Sequence, residues 1–174
     1  FKESEQIFGK METIVVGVSD KESIFTPSSL KAIGELTDFI KNLEEIDEDD
    51  VMSLTTVDDL IAENRELIVQ PLVEEYDNLT DDELSKIKVS VDNNPMIKKL
   101  LISSDKKSTL VVARVLGEIN TDEKKISKLV KSIEQEIKRL KTVYKDTDFY
   151  LSGFSTSEAK ITENMTKDLM RLTP

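Results

Sequence analysis

The chain of 174 residues contains no histidine, cysteine or tryptophan. Those absences remove Ser-His-Asp and Cys-His catalysis, thiolate and imidazole metal sites, and any disulfide framework. Glycine and proline are scarce, at 5 and 4, and the glycines stand singly, so no Gly-rich phosphate-binding loop exists. No stretch approaches the roughly 18 consecutive apolar residues of a bilayer-spanning helix. Positive charge is also short: 24 Lys and Arg against 35 Asp and Glu leave a net charge of −11. A free-standing binder of nucleic acid or anionic membrane needs the opposite sign.

What remains is 38% apolar and 34% charged residues, enough for one ordinary core and one domain. The run Thr13-Ile14-Val15-Val16-Gly17-Val18 is short and β-branched and reads as a buried strand. Thr26-Pro27 reads as an N-cap followed by proline at the first helical position. Leu30, Ile33, Leu36, Ile40, Leu43 and Ile46 then predict one apolar stripe on a helix of about five turns. Asp47-Glu48-Asp49-Asp50 ends that stripe as a loop, and Val51-Met52-Ser53-Leu54 follows as a second strand, which completes a βαβ unit. A second unit comprises Leu100-Leu101-Ile102, a polar turn over 103–108, the strand Thr109–Val115, an amphipathic helix opened by Thr121 and Asp122, and the strand Phe149–Ser152 ending at Gly153. Two such units predict an α+β, ferredoxin-like split-βαβ domain: an antiparallel sheet with two helices on one face.

The units span 13–59 and 99–153, and the stretch 60–98 belongs to neither. Thr80 with Glu83 makes a capping box before Leu84, Ile87 and Val91, so this stretch is expected to be a solvated helical insertion, broken at Asn94-Pro95. Ile161, Met165, Leu169 and Leu172 recur at helical spacing and predict a further helix over 155–174, expected to be still running at Pro174. That helix, the start at Phe1 without Met and the lack of a signal peptide are expected of a piece of a larger protein.

Candidate chemistry is thin. A calcium loop starting at Asp47 would need an oxygen ligand where Val51 stands and a glycine where Met52 stands. Asp58-Asp59 and Asp81-Asp82 lie in polar stretches and read as surface charge rather than as an acid–base pair. The lysines of the last long helix raise an RNA-binding reading, but Leu110–Val115 lacks the stacking aromatics that a sheet needs to hold bases. No catalysis, cofactor or metal is expected.

Four segments, in order, resemble the resistance-nodulation-division (RND) exporters, in their MMPL-like, predicted-exporter branch. Phe8-Gly9-Lys10 ahead of the strand Thr13–Val18 is similar to the segment after the first membrane helix of that family. Asp50–Asp58 resembles its "V-x-S-L-T" strand, Asn94-Pro95-Met96 through Leu101–Asp105 its "NP…LIS-x-D" segment, and Tyr150–Phe154 with Lys167-Asp168-Leu169 its "Y-x-x-G" strand and following helix. Ser155-Thr156 stand where many members carry a Pro-containing turn. The resemblance implies a porter domain between the first and second membrane helices, on the extracytoplasmic (periplasmic) side of the cell membrane, in a proton-driven exporter of hydrophobic or lipid-like substrates. It implies as partners the rest of the same transporter, including its second porter loop, neighbouring protomers of a homo-oligomer, and the substrate, with no nucleic acid. The family's proton-relay carboxylates lie in membrane helices, so none is carried over. Met96, Ile97 and Phe154 are the candidate lining of the substrate path, as apolar residues that the two units do not bury internally. The alternative is a soluble ferredoxin-like ligand-sensing or partner-binding module.

Overall fold

The computed structural model describes residues 13–63, 66–117, 119 and 122–153. In chain order the described elements are β1 (Thr13–Asp20), α1 (Pro27–Lys41), β2 (Ile46–Met52), β3 (Asp58–Glu63), β4 (Glu66–Pro71), α2 (Asp81–Asn93), α3 (Pro95–Leu101), β5 (Ser108–Val115), α4 (Glu123–Val143) and β6 (Thr147–Gly153). Four strands form one sheet in the order β2-β5-β1-β6, with every neighbouring pair antiparallel. β1-α1-β2 and β5-α4-β6 are therefore interleaved, each unit receiving a strand of the other between its own two. The fold is α+β and ferredoxin-like, with the split-βαβ arrangement.

The register follows from alternation. Ile14, Val16 and Val18 of β1 are fully buried, and β5 buries Thr109, Val111, Ala113 and Val115. Val16 stands opposite Val111 on one side and Leu151 on the other, so these side chains share one face. α1 covers it with Leu30, Ile33, Leu36 and Ile40, and α4 with Leu129, Val130, Ile133 and Leu140. Each such side chain contributes about 1.5–3 kcal/mol on full burial. α1 starts as its sequence indicates: Pro27 occupies the first turn and the Thr26 hydroxyl accepts from Ser29 N at 3.1 Å. The buried Ser29 hydroxyl in turn donates to Asp20 Oδ2 at 2.6 Å, tying the helix start to the end of β1. Burial opposes ionisation of Asp20, but hydrogen bonds from Ser29 and from the amides of Glu22 and Ser23 outweigh it and hold the carboxyl below its usual range.

Four expectations are corrected. α1 ends at Lys41, one turn early, because Asn42 closes it by donating to Asp38 O through both its amide and its side chain. Ile46 continues the helical spacing by coincidence; it opens β2 opposite Val115. Asp47–Asp50 is accordingly the irregular middle of an edge strand rather than a loop, with the register shifting between Ile46 and Val51. Leu100-Leu101 is not a strand. Asn94 caps α3 by accepting from Met96 N and Ile97 N (3.2 and 3.3 Å) with Pro95 at the first position, so the break at Asn94-Pro95 restarts a helix. Only Ile102 bridges to Thr109. The insertion, finally, is not purely helical: it opens with the β3–β4 hairpin before α2 and α3. The expected helix over 155–174 and Phe8-Gly9-Lys10 lie outside the described residues.

Two contacts lock α1. Tyr76, in the segment between β4 and α2, lies so close against Gly34 that any Cβ there would overlap its ring, and its hydroxyl bonds to Asp38. Gly34→Ala is expected to lower stability by about 1 kcal/mol, the overlap outweighing the gain in helix propensity. In a Tyr76→Ala background the same change is expected to raise stability by about 0.5–1 kcal/mol, which a double-mutant cycle by urea denaturation checks.

On its other side α1 is clasped to α4. Glu35 accepts from Tyr144 Oη at 2.7 Å and from Arg139 Nη2 at 2.8 Å, and Arg139 also grips Glu136. Burial pushes the Glu35 carboxyl up, but these two hydrogen bonds and the Arg139 charge outweigh it and hold it below its ordinary range. A carboxyl whose folded pKa is depressed stabilises the fold above its unfolded pKa and loses that contribution as pH falls through the folded value. Glu35→Gln is expected to cost about 1 kcal/mol at about pH 7, and the gap to wild type is expected to close toward about pH 3, followed by denaturation at each pH.

Candidate functional site

The surface that the core does not need is concentrated in the insertion. In the β3–β4 hairpin Leu60 pairs with Val69 and Ile61 with Ile68. All six residues of β4 are exposed, and Leu60, Leu67 and Val69 are each more than half exposed (51, 68 and 59%). A hairpin with no third strand is marginal by itself, so its base must hold it. Leu72 N donates to Val57 O at 2.9 Å, Leu72 and Val73 are buried, and Ser53 at the preceding turn accepts from the buried Thr37 hydroxyl of α1 at 3.0 Å.

Beside the hairpin stand α2 and α3. The Thr80–Glu83 capping box forms as the sequence indicates: Glu83 N donates to Thr80 Oγ1 at 3.3 Å and Thr80 N to Glu83 Oε2 at 2.8 Å. Leu84, Ile87 and Val91 turn inward. Asp92, near the end of α2, pairs with Lys106 at 2.7 Å and Lys98 at 3.4 Å, which ties the insertion to the turn before β5. The hydrogen bond from Lys106 foremost holds the Asp92 carboxyl below its usual range.

A cleft of about 540 Å³ separates β3 from the α2–α3 junction. Leu60, Ile61, Val89 and Pro95 supply apolar walls, and Asp59, Ser90, Asn93 and Asn94 supply polar groups. Asp59 is only 4% exposed. Its Oδ1 accepts from Leu60 N at 3.0 Å, and among the described residues no cation forms an ion pair with it. The reading of Asp58-Asp59 as surface charge holds for Asp58 and fails for Asp59. The signal for it was the alternation in β3, where Asp59 and Ile61 share the less exposed face and Leu60 takes the other.

No family model matches the chain, and no curated protein is significantly similar to it.

The three path candidates separate. Met96 is 62% exposed on α3, whereas Ile97 is buried in the core cluster, one helical turn before the buried Leu101. Ile97 is therefore a packing residue, a correction to its placement on a path. Phe154 lies outside the described residues. Asp47 and Asp50 both pair with Arg114 across from β2, and among the described residues no group of three or more carboxylates is placed to hold a metal ion. Among the described residues no helix is long and apolar enough to cross a membrane. The lysines of α4 at 124, 125, 128, 131 and 138 are exposed, and the other face of the sheet carries the partly buried Val15, Leu110 and Val112, with Tyr150 on β6 beneath Lys141 (5.5 Å to the ring centre). Ile97→Ala is expected to cost about 2–4 kcal/mol and Met96→Ala less than about 0.5 kcal/mol, measured by chemical denaturation.

Proposed function

We propose that the chain is a porter-type domain on the extracytoplasmic side of the membrane in a proton-driven exporter of the RND type, where it forms part of the path of hydrophobic or lipid-like substrates. The observation that carries this reading is where the family-like segments fall in the fold. Ser53 of the "V-x-S-L-T" segment joins the hairpin base to α1, and Asn94-Pro95 builds the α2–α3 junction. Ser103 and Asp105 of the "LIS-x-D" segment close the turn before β5, Ser103 Oγ donating to Asp105 at 2.6 Å and accepting from Ser108 N at 2.9 Å. These two of the four segments thus sit at joints of the fold, where a shared architecture would constrain sequence. The apolar surface of the insertion, with Met96, Leu60 and Leu67 outward, supports a role in passing apolar molecules along grooves between neighbouring domains. In this reading the domain catalyses no reaction; it moves as a body coupled to membrane helices that carry the proton relay.

The test is made on the parent gene. A span of about 20 apolar residues directly before Phe1 and several soon after Pro174 are expected, together with increased cellular retention of a hydrophobic fluorescent dye when the gene is disrupted. Polar flanks and unchanged dye retention would overturn the exporter reading in favour of a self-contained ligand-sensing or partner-binding module.

A further inference from the structure

We infer that the cleft between β3 and the α2–α3 junction is a binding site for an organic cation with an apolar body, such as an alkylammonium. The inference stands on the cleft itself and does not require the exporter reading. Its lining includes Asp59, a buried residue whose Oδ1 accepts from the amide of Leu60 and with which no described cation pairs. Burying a carboxylate without a counter-charge is costly, and a bound ammonium would offset that cost by supplying the missing charge and hydrogen-bond donors. Ser90 and Asn93 in the lining can add acceptors, the Asn94 oxygen being engaged in capping α3, while the apolar walls and a volume of about 540 Å³ fit a small amphiphile rather than a bare ion. A metal ion is disfavoured by the donor set, because one carboxylate is too few for a hard cation.

The wider charge distribution points the same way. Residues 44–85 hold sixteen carboxylates and a single cation, Arg65, whereas the rest of the chain carries 23 cations against 19 carboxylates. The acidic character of the chain is therefore a property of this one stretch, whose field draws cations to the cleft and repels anions. Asp58 stands exposed next to Asp59, and Glu74 and Glu75 are exposed just beyond β4.

The experiment is an amide-resolved NMR titration of the 174-residue chain with octylammonium, octanol and octanoate. Octylammonium is expected to shift the amides of 59–61 and 89–94, to bind at least tenfold more tightly than octanol, and to lose affinity with added salt; octanoate is expected not to bind. Asp59→Asn, which keeps the side-chain shape, is expected to abolish the preference of octylammonium over octanol. Leu60→Ser, at an exposed position, is expected to weaken both ligands equally. Equal affinities for octylammonium and octanol, shifts centred elsewhere, or a preference that survives Asp59→Asn would overturn the assignment. A lysine-bearing peptide binding more tightly than octylammonium at the same amides would overturn it in favour of a protein partner. The comparison among the three wild-type titrations decides the matter even where Asp59→Asn does not fold.

Discussion

The structure depends on the position of β1 between β5 and β6. Because both neighbours run antiparallel to it, the residues of β1 at even positions from Ile14 to Val18 meet partners of the same face on both sides. A shift of one residue on either side would turn Val111 or Phe149 to solvent and leave α1 and α4 without a surface to cover. The core is thus set by one strand that belongs in sequence to the first unit and in space to both. The same interleaving brings Asp20 at the end of β1 to Ser29 of α1 and, across the edge, Lys21 to Asp146 at 2.8 Å.

With the core so arranged, the connection between β2 and β5 is free to grow, since it joins neighbouring strands at the side of the sheet. The insertion uses that freedom. Its polar and close contacts to the body include the Ser53 turn against α1, Tyr76 against Gly34, and Asp92 against Lys106. Between those anchors the chain departs from the rules of the core, exposing Leu60, Leu67 and Val69 while burying Asp59. Apolar groups outside and a carboxylate inside are the inversion expected of a surface shaped for binding rather than for stability.

Capping and alternation made much of the fold readable in advance. Thr26-Pro27 and the Thr80–Glu83 box mark helix starts through hydrogen bonds that span three residues, so no distant partner was needed to recognise them. The valine and isoleucine alternation of β1 and β5 identified the sheet for the same reason. Reading failed where a local pattern was ambiguous and a distant strand resolved it. Ile46 fits a helical stripe and a strand equally, and only Val115 decides. Leu100-Leu101-Ile102 fits a short strand, but Asn94 and Pro95 had already committed the first two of those residues to a helix. Of the path candidates, Met96 and Ile97 are adjacent in sequence, and the rotation of α3 alone sends one outward and the other into the core.

The sequence by itself determined the fold class, the chemistry that is excluded and the ends of most elements, because these follow from residue type and from spacings of two to four. Tertiary structure alone decided which carboxylate is buried, which helix residue faces solvent and how Arg114 gathers Asp47 and Asp50 along an edge strand. Those outcomes depend on segments 30 to 67 residues apart, Asp59 to Val89 and Asp47 to Arg114, being pressed together, and no spacing within a single element encodes them. Asp59 illustrates the difference: its neighbours in sequence are those of a solvated acidic turn, whereas its neighbours in space include α2 and the junction that follows it.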